Sequence, residues 1–382
     1  MNTSFDVLVI GGGINGLCAA YHLARMRAGR IALLERFTVG HDRGSSHGAS
    51  RITRSSYHDP AYVELTAAAH GEEWPRLEAD CGERLVLPVP GCFFGPSGGL
   101  VDRFLDAAER AGAALTVLDA AEGRRRYPQF RIEDDDRILD DASAGVLAAA
   151  RTVRGLRRIC ETRGVAFHES TAVTGIRTAG AGLEVATDRG VFSAGHIVVT
   201  AGPWSARLVP ALAPRLTVVR QVVGFYETDG PEEPGAFPVW AYLGRAMGDM
   251  SYGLPRFEAP GVKAARHRVS GDPDDPDGPD GAEEEREREA LADLDSFVEH
   301  RITARTRRVA TDRCLYTNTE TEDVILDLHP ELPGTAVGAG FSGHGFKFAP
   351  VTGRILAELA VHGDCALPAF RRYRDQFRIE RA

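Results

Sequence analysis

A chain of 382 residues is too long for one small core, so two domains are the natural expectation. Its 43% apolar and 26% charged residues have the balance of a water-soluble globular fold, and no apolar run approaches the roughly 18 residues that a membrane span needs. The net charge of −9, with no basic stripe interleaved with aromatics, argues against a nucleic-acid partner.

The N-terminus, MNTSFDVLVIGGG, runs directly into a predicted strand, with no basic segment and cleavage site ahead of it. Six cysteines are scattered without a C-x-x-C pair, which disfavours zinc and thioredoxin-like chemistry, and no metal is expected. Together these features suggest a reducing cytoplasm. The stretch FDVLVIGGGINGLCAAYHLARMRAGRIALLER predicts strand, tight glycine turn, helix and strand. Gly11, Gly13 and Gly16 fit G-x-G-x-x-G. The first glycine allows the turn, the second admits a pyrophosphate to the backbone, and the third lets helix and strand pack closely. The helix N-terminus offers free N–H groups to phosphates. Glu35, at the end of the second strand, suits a ribose diol. The pattern predicts a dinucleotide and leaves NAD and FAD both open.

Later elements extend this domain. VAFHESTAVTGI predicts a strand reaching the adenine end through Val173. GHIVVTAGPWSARLVPAL predicts a buried strand, a turn at Ala201, Gly202 and Trp204, then a helix. RQVVGFYETDG has the pattern of a buried strand. Half of residues 270–289 are acidic. Their Pro, Gly and Asp predict a loop, and the Ala-, Glu- and Arg-rich remainder predicts a solvated helix, the whole a surface connection without catalytic content. GTAVGAGFSGHGFKFAPVTGRILAELAVHG is again strand, glycine-rich turn and helix, with Pro350 suited to the first turn and Gly363 to the exit. The expected fold is α/β with α+β character. Residues 1–85, 145–215 and 312–382 would form a Rossmann-like nucleotide domain, and 86–144 and 216–311 a second domain on a large mixed or antiparallel sheet.

The motifs GSSHGASRITRSSY, TAGPW, RQVVGFYE, SYGLPRF, GVKAARH, CLYTNTETEDVILDLHPE and GFSGHGFKF extend over nearly the whole chain. With them the sequence resembles the monomeric sarcosine oxidase and N-methyltryptophan oxidase family, within the D-amino-acid-oxidase-like flavoproteins. The resemblance implies FAD, attached covalently through the sulfur of Cys314. A thiolate is the nucleophile such a link requires, and nearby positive charge favours it. Arg313 is adjacent, but on a strand it points to the opposite face, so Arg51 or His47 is the better source. The resemblance further implies cofactor contacts from Ile14, Asn15, Arg36, Ser46, His47 and Arg51. Gly343, His344, Gly345, Phe346 and Lys347 extend that set at the glycine-rich loop.

The same resemblance implies that Arg54 and Lys347 hold a substrate carboxylate, Arg as a bidentate fork and Lys as a point charge. Lys263 and Lys347 are the only two lysines among 45 basic residues. Lys263 matches a lysine that promotes reaction with dioxygen, where a fixed cation stabilises the developing superoxide. His267, four positions on, shares its strand face and would line the amine side. Tyr252 and Tyr316 would wall the pocket and offer hydrogen bonds, while no separate strong base is evident. An ungapped alignment puts Ala241 where sarcosine oxidases have a methionine, implying a wider pocket. The implied activity is oxidation of the C–N bond of a secondary, N-methyl or cyclic amino acid to an imine, with dioxygen reduced to hydrogen peroxide by a monomeric enzyme. A biosynthetic imine-forming or aromatising oxidase is the alternative, and a non-catalytic flavin-bound subunit a third reading.

Overall fold

In the computed structural model, which describes residues 3–180, 182–267, 273–278 and 284–380, the strand Ser4–Ile10 is central to an eight-stranded sheet. It pairs in parallel with Ile31–Leu34 on one side and Gly190–Val199 on the other. Val7, Leu8 and Val9 are fully buried, as the strands of a parallel sheet covered on both faces must be. Gly190–Val199 also pairs antiparallel with Gly182–Thr187, and its last residues pair in parallel with Thr335–Ala339. The beginning, middle and end of the chain thus lie side by side.

Helices Ile14–Arg25 and Ala349–His362 pack closely. The contact depends on Gly353, where an added Cβ would lie 2.5 Å from the Cβ of Cys18 and 2.8 Å from the nitrogen of Ala19. Pro350 stands in the first turn of the later helix, and Gly363 ends it in the left-handed conformation at φ +73°.

The stretch VAFHESTAVTGI forms two strands, not the single one expected. Ala166–His168 extends the sheet beside Ile31–Leu34, whereas Val173–Ala179 begins a hairpin at the opposite edge. The break falls at Ser170, held at φ +51°. Its N–H donates to the carbonyl of Phe37 (2.6 Å), and that of Thr171 donates to the carbonyl of Glu35 (2.8 Å). The segment therefore crosses the carboxyl ends of the strands, where α/β sheets bind ligands.

A second eight-stranded sheet is mainly antiparallel. Its long edge strand Thr306–Asn318 pairs with Thr217–Thr228, followed inward by Val262–His267, Met250–Leu254 and Val239–Leu243. Gly91–Pro96, Asp136–Asp141 and Thr116–Leu118 complete it. A small sheet of Ser50–Thr53, Gly145–Ala148 and Val86–Pro88 stands apart from both. Among the described residues, no helix is long and apolar enough to cross a membrane.

The acidic segment is more than a solvated connection. Helix Glu284–Arg301 buries Leu294 and Val298. Ahead of it, Asp274 pairs with Arg220 at 2.8 Å, and its N–H donates to the carbonyl of Val218 at 2.8 Å. Asp277 accepts from Trp204 Nε1 (3.1 Å) and Arg36 (3.1 Å). Residues 268–272 and 279–283 of this stretch lie outside the described residues.

Gly353→Val tests the helix contact. Overpacking a close helix crossing costs about 1–3 kcal/mol, so the urea midpoint should fall. An unchanged midpoint would mean that the helices can move apart without cost.

Candidate active site

Both large sheets and the small one contribute to a single elongated cavity. At one end the turn after Ser4–Ile10 supplies Gly11, Gly13, Ile14 and Asn15. Gly11 has φ +100°, and a Cβ there would run into the carbonyl of Thr200. Gly16 lies one helical turn on, where a Cβ would strike the Gly11 carbonyl. Gly13 caps the helix without a side-chain hydrogen bond, while Ile14 N–H donates to Ser46 Oγ at 3.0 Å. Glu35 is buried beneath this turn and accepts from Gly12 N–H (2.6 Å) and Phe37 N–H (2.7 Å). Val173, Ala201, Gly202 and Trp204 line the same end. The Arg36 guanidinium lies 5.3 Å from the Trp204 ring centroid.

At the far end the segment Gly340–Lys347 turns sharply. Gly340, Ser342 and Gly343 all have positive φ. A Cβ on Gly343 would enter the ring of Tyr316, so only glycine lets the backbone pass there. His344, Gly345, Phe346 and Lys347 follow along the cavity wall.

Two basic residues from distant parts of the chain meet here. Lys347 is 8% exposed and donates from Nζ to Tyr57 Oη at 2.7 Å. Arg54 is 6% exposed, with its guanidinium carbon 5.0 Å from the Tyr57 ring centroid and 5.1 Å from that of Phe93. Its Nε is buried without a hydrogen-bond partner. Burial, then Arg54 and Arg51, push the Lys347 ammonium well below its usual range. A carboxylate bound between the two cations would supply the missing counter-charge.

Beside this pair, Tyr252 Oη and Tyr316 Oη share a hydrogen bond of 2.9 Å. Burial raises both phenols, Tyr252 to about 12, so both stay neutral at ordinary pH. His267 ends the strand Val262–His267, and its Nε2 lies 2.8 Å from Glu322 Oε2. Lys263, on the same strand, donates to the carbonyl of Ser50 at 3.3 Å. Burial, and then Arg51, lower its pKa to about 7. The fixed cation expected from the sequence is therefore a titrating one.

Cys314 pairs with Gln221 in the long edge strand and lines the cavity. Burial raises its thiol pKa, against the opposing pull of Arg51 and Lys263. Arg51 is the charge source that the sequence suggested, but burial outweighs it. It is held by the carbonyls of Ser50 (2.9 Å), Ser45 (3.0 Å) and His47 (2.7 Å). His47 instead bonds the Arg313 carbonyl at 2.7 Å, and Arg313 pairs with Glu287 away from the thiol.

Every sequence-predicted site residue except Gly16 lines this one cavity. Ala241 corrects the expectation of a wider pocket. It is fully buried in the core, paired with Tyr252 and Phe93, whereas Met247 and Met250 line the cavity. Tyr57, His58 and Glu322 were not singled out from the sequence. Tyr57 and Glu322 lie within quoted motifs, but nothing in their spacing marks them as cavity residues.

The cavity suits a flavin dinucleotide. A helix N-terminus and a buried carboxylate lie at one end and basic side chains at the other, and His47 Nδ1 and His344 Nδ1 are buried on its wall without partners among the described residues. Among the described residues, no group of three or more His, Cys, Asp or Glu could hold a metal ion. This is the architecture of a flavin-dependent oxidoreductase.

The family model "FAD dependent oxidoreductase" matches residues 6–359, and the chain belongs to that family. The chain is 34% identical to "Monomeric sarcosine oxidase" of Streptomyces avermitilis over 378 residues, covering 96% of each. It is 34% identical to "Peroxisomal sarcosine oxidase" of Homo sapiens over 369 residues, covering 94% of this chain and 92% of that one. The solved structure of NikD, "an unusual amino acid oxidase essential for nikkomycin biosynthesis", superposes with a TM-score of 0.80 at 26% identity, covering 96% of both chains. The enzyme is an FAD-dependent oxidoreductase.

The pKa of Lys263 predicts a pH dependence. The side chain is charged below about 7 and neutral above, so any help that a cation at this position gives to the oxygen reaction would be lost as pH rises. The rate of flavin reoxidation should fall through that region, or somewhat above it if the reduced cofactor adds negative charge nearby. Lys263→Met should be slow throughout and flatten the profile. Stopped-flow mixing with dioxygen measures both. A profile in Lys263→Met that keeps the wild-type limb would assign the titration to another group.

Proposed function

We propose that this enzyme oxidises the C–N bond of an N-methyl or cyclic amino acid to an imine, reducing dioxygen to hydrogen peroxide. The observation that carries the substrate class is the meeting of Arg54 and Lys347 at Tyr57, two buried basic groups with no ion-pair partner among the described residues. Arg54 grips a carboxylate with its planar fork and Lys347 adds a point charge. Tyr57 orients the lysine. Tyr252 and Tyr316 wall the pocket, and His267 faces the amine. FAD held by Gly11, Gly13, Glu35 and Cys314 would supply the acceptor for the hydride equivalent from the carbon next to nitrogen and the route for the electrons to dioxygen. Positioning by these side chains supplies much of the remaining catalysis.

The cofactor reading assigns the pyrophosphate to the turn of Gly11, Gly13 and Gly16, the ribose to Glu35, and the flavin attachment to Cys314. The sheet around Ser4–Ile10 is then the cofactor domain and the large antiparallel sheet the substrate domain. The relatives named sarcosine oxidase support an N-methyl or cyclic substrate. The likeness to NikD does not favour an aromatising reaction over this one. Several relatives are named as monomeric, which supports a monomer. The six free cysteines, five of them buried, are compatible with the cytoplasm. A peroxide assay with a panel of N-methyl, cyclic and primary amino acids tests the substrate class.

Two variants probe the parts separately. Acid denaturation should leave yellow flavin on the protein, and a flavin peptide should map to Cys314. Cys314→Ala should release all flavin into the supernatant. Free flavin from the wild type with an unmodified Cys314 peptide would sink the covalent link. Breaking a buried charge pair costs about 3 kcal/mol, so Arg54→Ala should lose about a hundredfold in kcat/KM. Arg54→Lys should recover only part of this. The acid-over-amide preference should vanish in Arg54→Ala, and an unchanged ratio would mean that Arg54 does not read the carboxylate.

A further inference from the structure

Arg54 and Tyr57 leave the small sheet on one short segment. Thr53 is still paired with Gly145, and Ser55 and Ser56 separate the arginine from the tyrosine. The segment thus carries both the guanidinium and the hydroxyl that meets Lys347. Beside it stands Asp141, the last residue of the strand Asp136–Asp141, fully buried and behind the cavity wall rather than on it. Its Oδ2 accepts from the backbone N–H groups of Ser55 (2.9 Å) and Ser56 (3.1 Å). Its Oδ1 accepts from Ser143 N–H at 2.9 Å and from the Ser143 hydroxyl. That hydroxyl lies 2.6 Å from Ser55 Oγ. All of these donors are uncharged.

Burying a carboxylate is costly unless donors satisfy it, and here the donors are largely main-chain groups. The result is a tie between the end of the large antiparallel sheet and the turn that carries Arg54. The choice of partner matters. A carboxylate paired with the Arg54 guanidinium would anchor that side chain, but it would also cancel the charge that a substrate carboxylate needs. Asp141 grips the backbone instead, and Arg54 Nε stays buried without a hydrogen-bond partner among the described residues. We propose that Asp141 is a positioning residue, which sets the Arg54–Tyr57 segment and through it the affinity for the substrate carboxylate. This role rests on the carboxylate reading above.

The two ends of the segment have anchors of their own. Thr53 shares a hydrogen bond with His70 Nε2 as well as its strand pairing. Tyr57 packs against the rings of Tyr62 and Phe348 and is bonded to Lys347. Between these points the backbone of Ser55 and Ser56 is held by Asp141, and the Ser56 hydroxyl is buried without a partner among the described residues. The Arg54 guanidinium lies among the rings of Tyr57, Phe93 and Phe104, which shape its surroundings but do not fix its distance from Lys347. Two cations from distant parts of the chain converge on one carboxylate only if both backbones are held in place. Both oxygens of Asp141 accept from N–H groups, so an amide there must turn its NH2 toward a donor.

The test is ligand binding to the flavin-loaded enzyme, read from the flavin spectrum. The probes are methoxyacetate, which has a carboxylate but no amine to oxidise, and its amide, methoxyacetamide. Asp141→Asn keeps the size and breaks the set of bonds. It should raise the methoxyacetate dissociation constant about tenfold or more, the scale of one lost hydrogen bond to a charged group. The methoxyacetamide constant should stay within about threefold, because a neutral amide draws little on the charged pair. Removing an interior anion would by itself tighten the binding of another anion, so weakening reports lost position and not lost charge. With the amino acid that the wild type oxidises fastest, KM should rise while kcat stays within about threefold, the pattern of lost binding shared by ground and transition states. Ser143→Ala removes only the hydroxyl donor and should weaken methoxyacetate less, about threefold. Unchanged or tighter methoxyacetate binding in Asp141→Asn overturns the proposal. So does an equal loss for acid and amide, which marks a general collapse of the pocket. If Asp141→Asn does not retain flavin, Ser143→Ala decides, and wild-type methoxyacetate affinity there overturns the proposal. A wild type without preference for methoxyacetate over its amide sinks the carboxylate reading and this role with it. A wild-type preference that both variants keep in full sinks only this role.

Discussion

Desolvated basic side chains that have no ion-pair partner among the described residues are the constraint around which the cavity is built. Arg54, Lys347 and Lys263 are all buried within one enclosure. Lys347 is driven well below its usual range and Lys263 to about 7, with burial the leading cause for both. Such an arrangement is costly for the protein alone, because burying a charge is favourable only when it is paired. It is the signature of a site that is completed by anionic ligands. A dinucleotide and an amino-acid carboxylate are such ligands, and each would gain what the protein has withheld.

Holding these groups apart from water requires rigid surroundings, and the topology supplies them. Lys263 and His267 share one face of a strand that is paired on both sides. Arg54 follows directly on a strand of the small sheet, and Lys347 stands in the turn that opens a long helix. Each side chain is anchored by an element whose core is fully buried elsewhere. The rearrangement that would let a lysine reach solvent is therefore expensive, and its lowered basicity is retained rather than relaxed.

Some of this was legible in the chain because local rules carry it. The glycine turn, Pro350 and Gly363 follow from spacing and backbone preference alone, and the structure has the tight turn, the first helical turn and the helix exit at those positions, with Glu35 buried against the turn. Lys263 and His267 share a face because a strand has a period of two. Other features depend on tertiary context. The split of VAFHESTAVTGI arises from hydrogen bonds to Phe37 and Glu35, more than a hundred residues earlier. Asp274 and Asp277 have the composition of a solvated loop, yet they meet Arg220, Arg36 and Trp204, which are distant in sequence. Glu322 was hidden in an acidic run, and only its strained backbone and its histidine partner set it apart from its neighbours.

Lys263, near the start of the strand Val262–His267, is tuned by what it faces. Lys263 looks toward Arg51, and the repulsion between them adds to burial in favouring the neutral amine. The same two cations pull the Cys314 thiol down, while burial pushes it up. Cys314 and Asp312 in turn raise Lys263. A thioether at Cys314 would abolish any thiolate there and leave Asp312 as the anion supporting the lysine. Asp312 is itself held low, chiefly by its hydrogen bond to His47. Attachment of a cofactor and the charge on Lys263 are therefore not independent. A flavin tethered at Cys314 would change part of the field at Lys263.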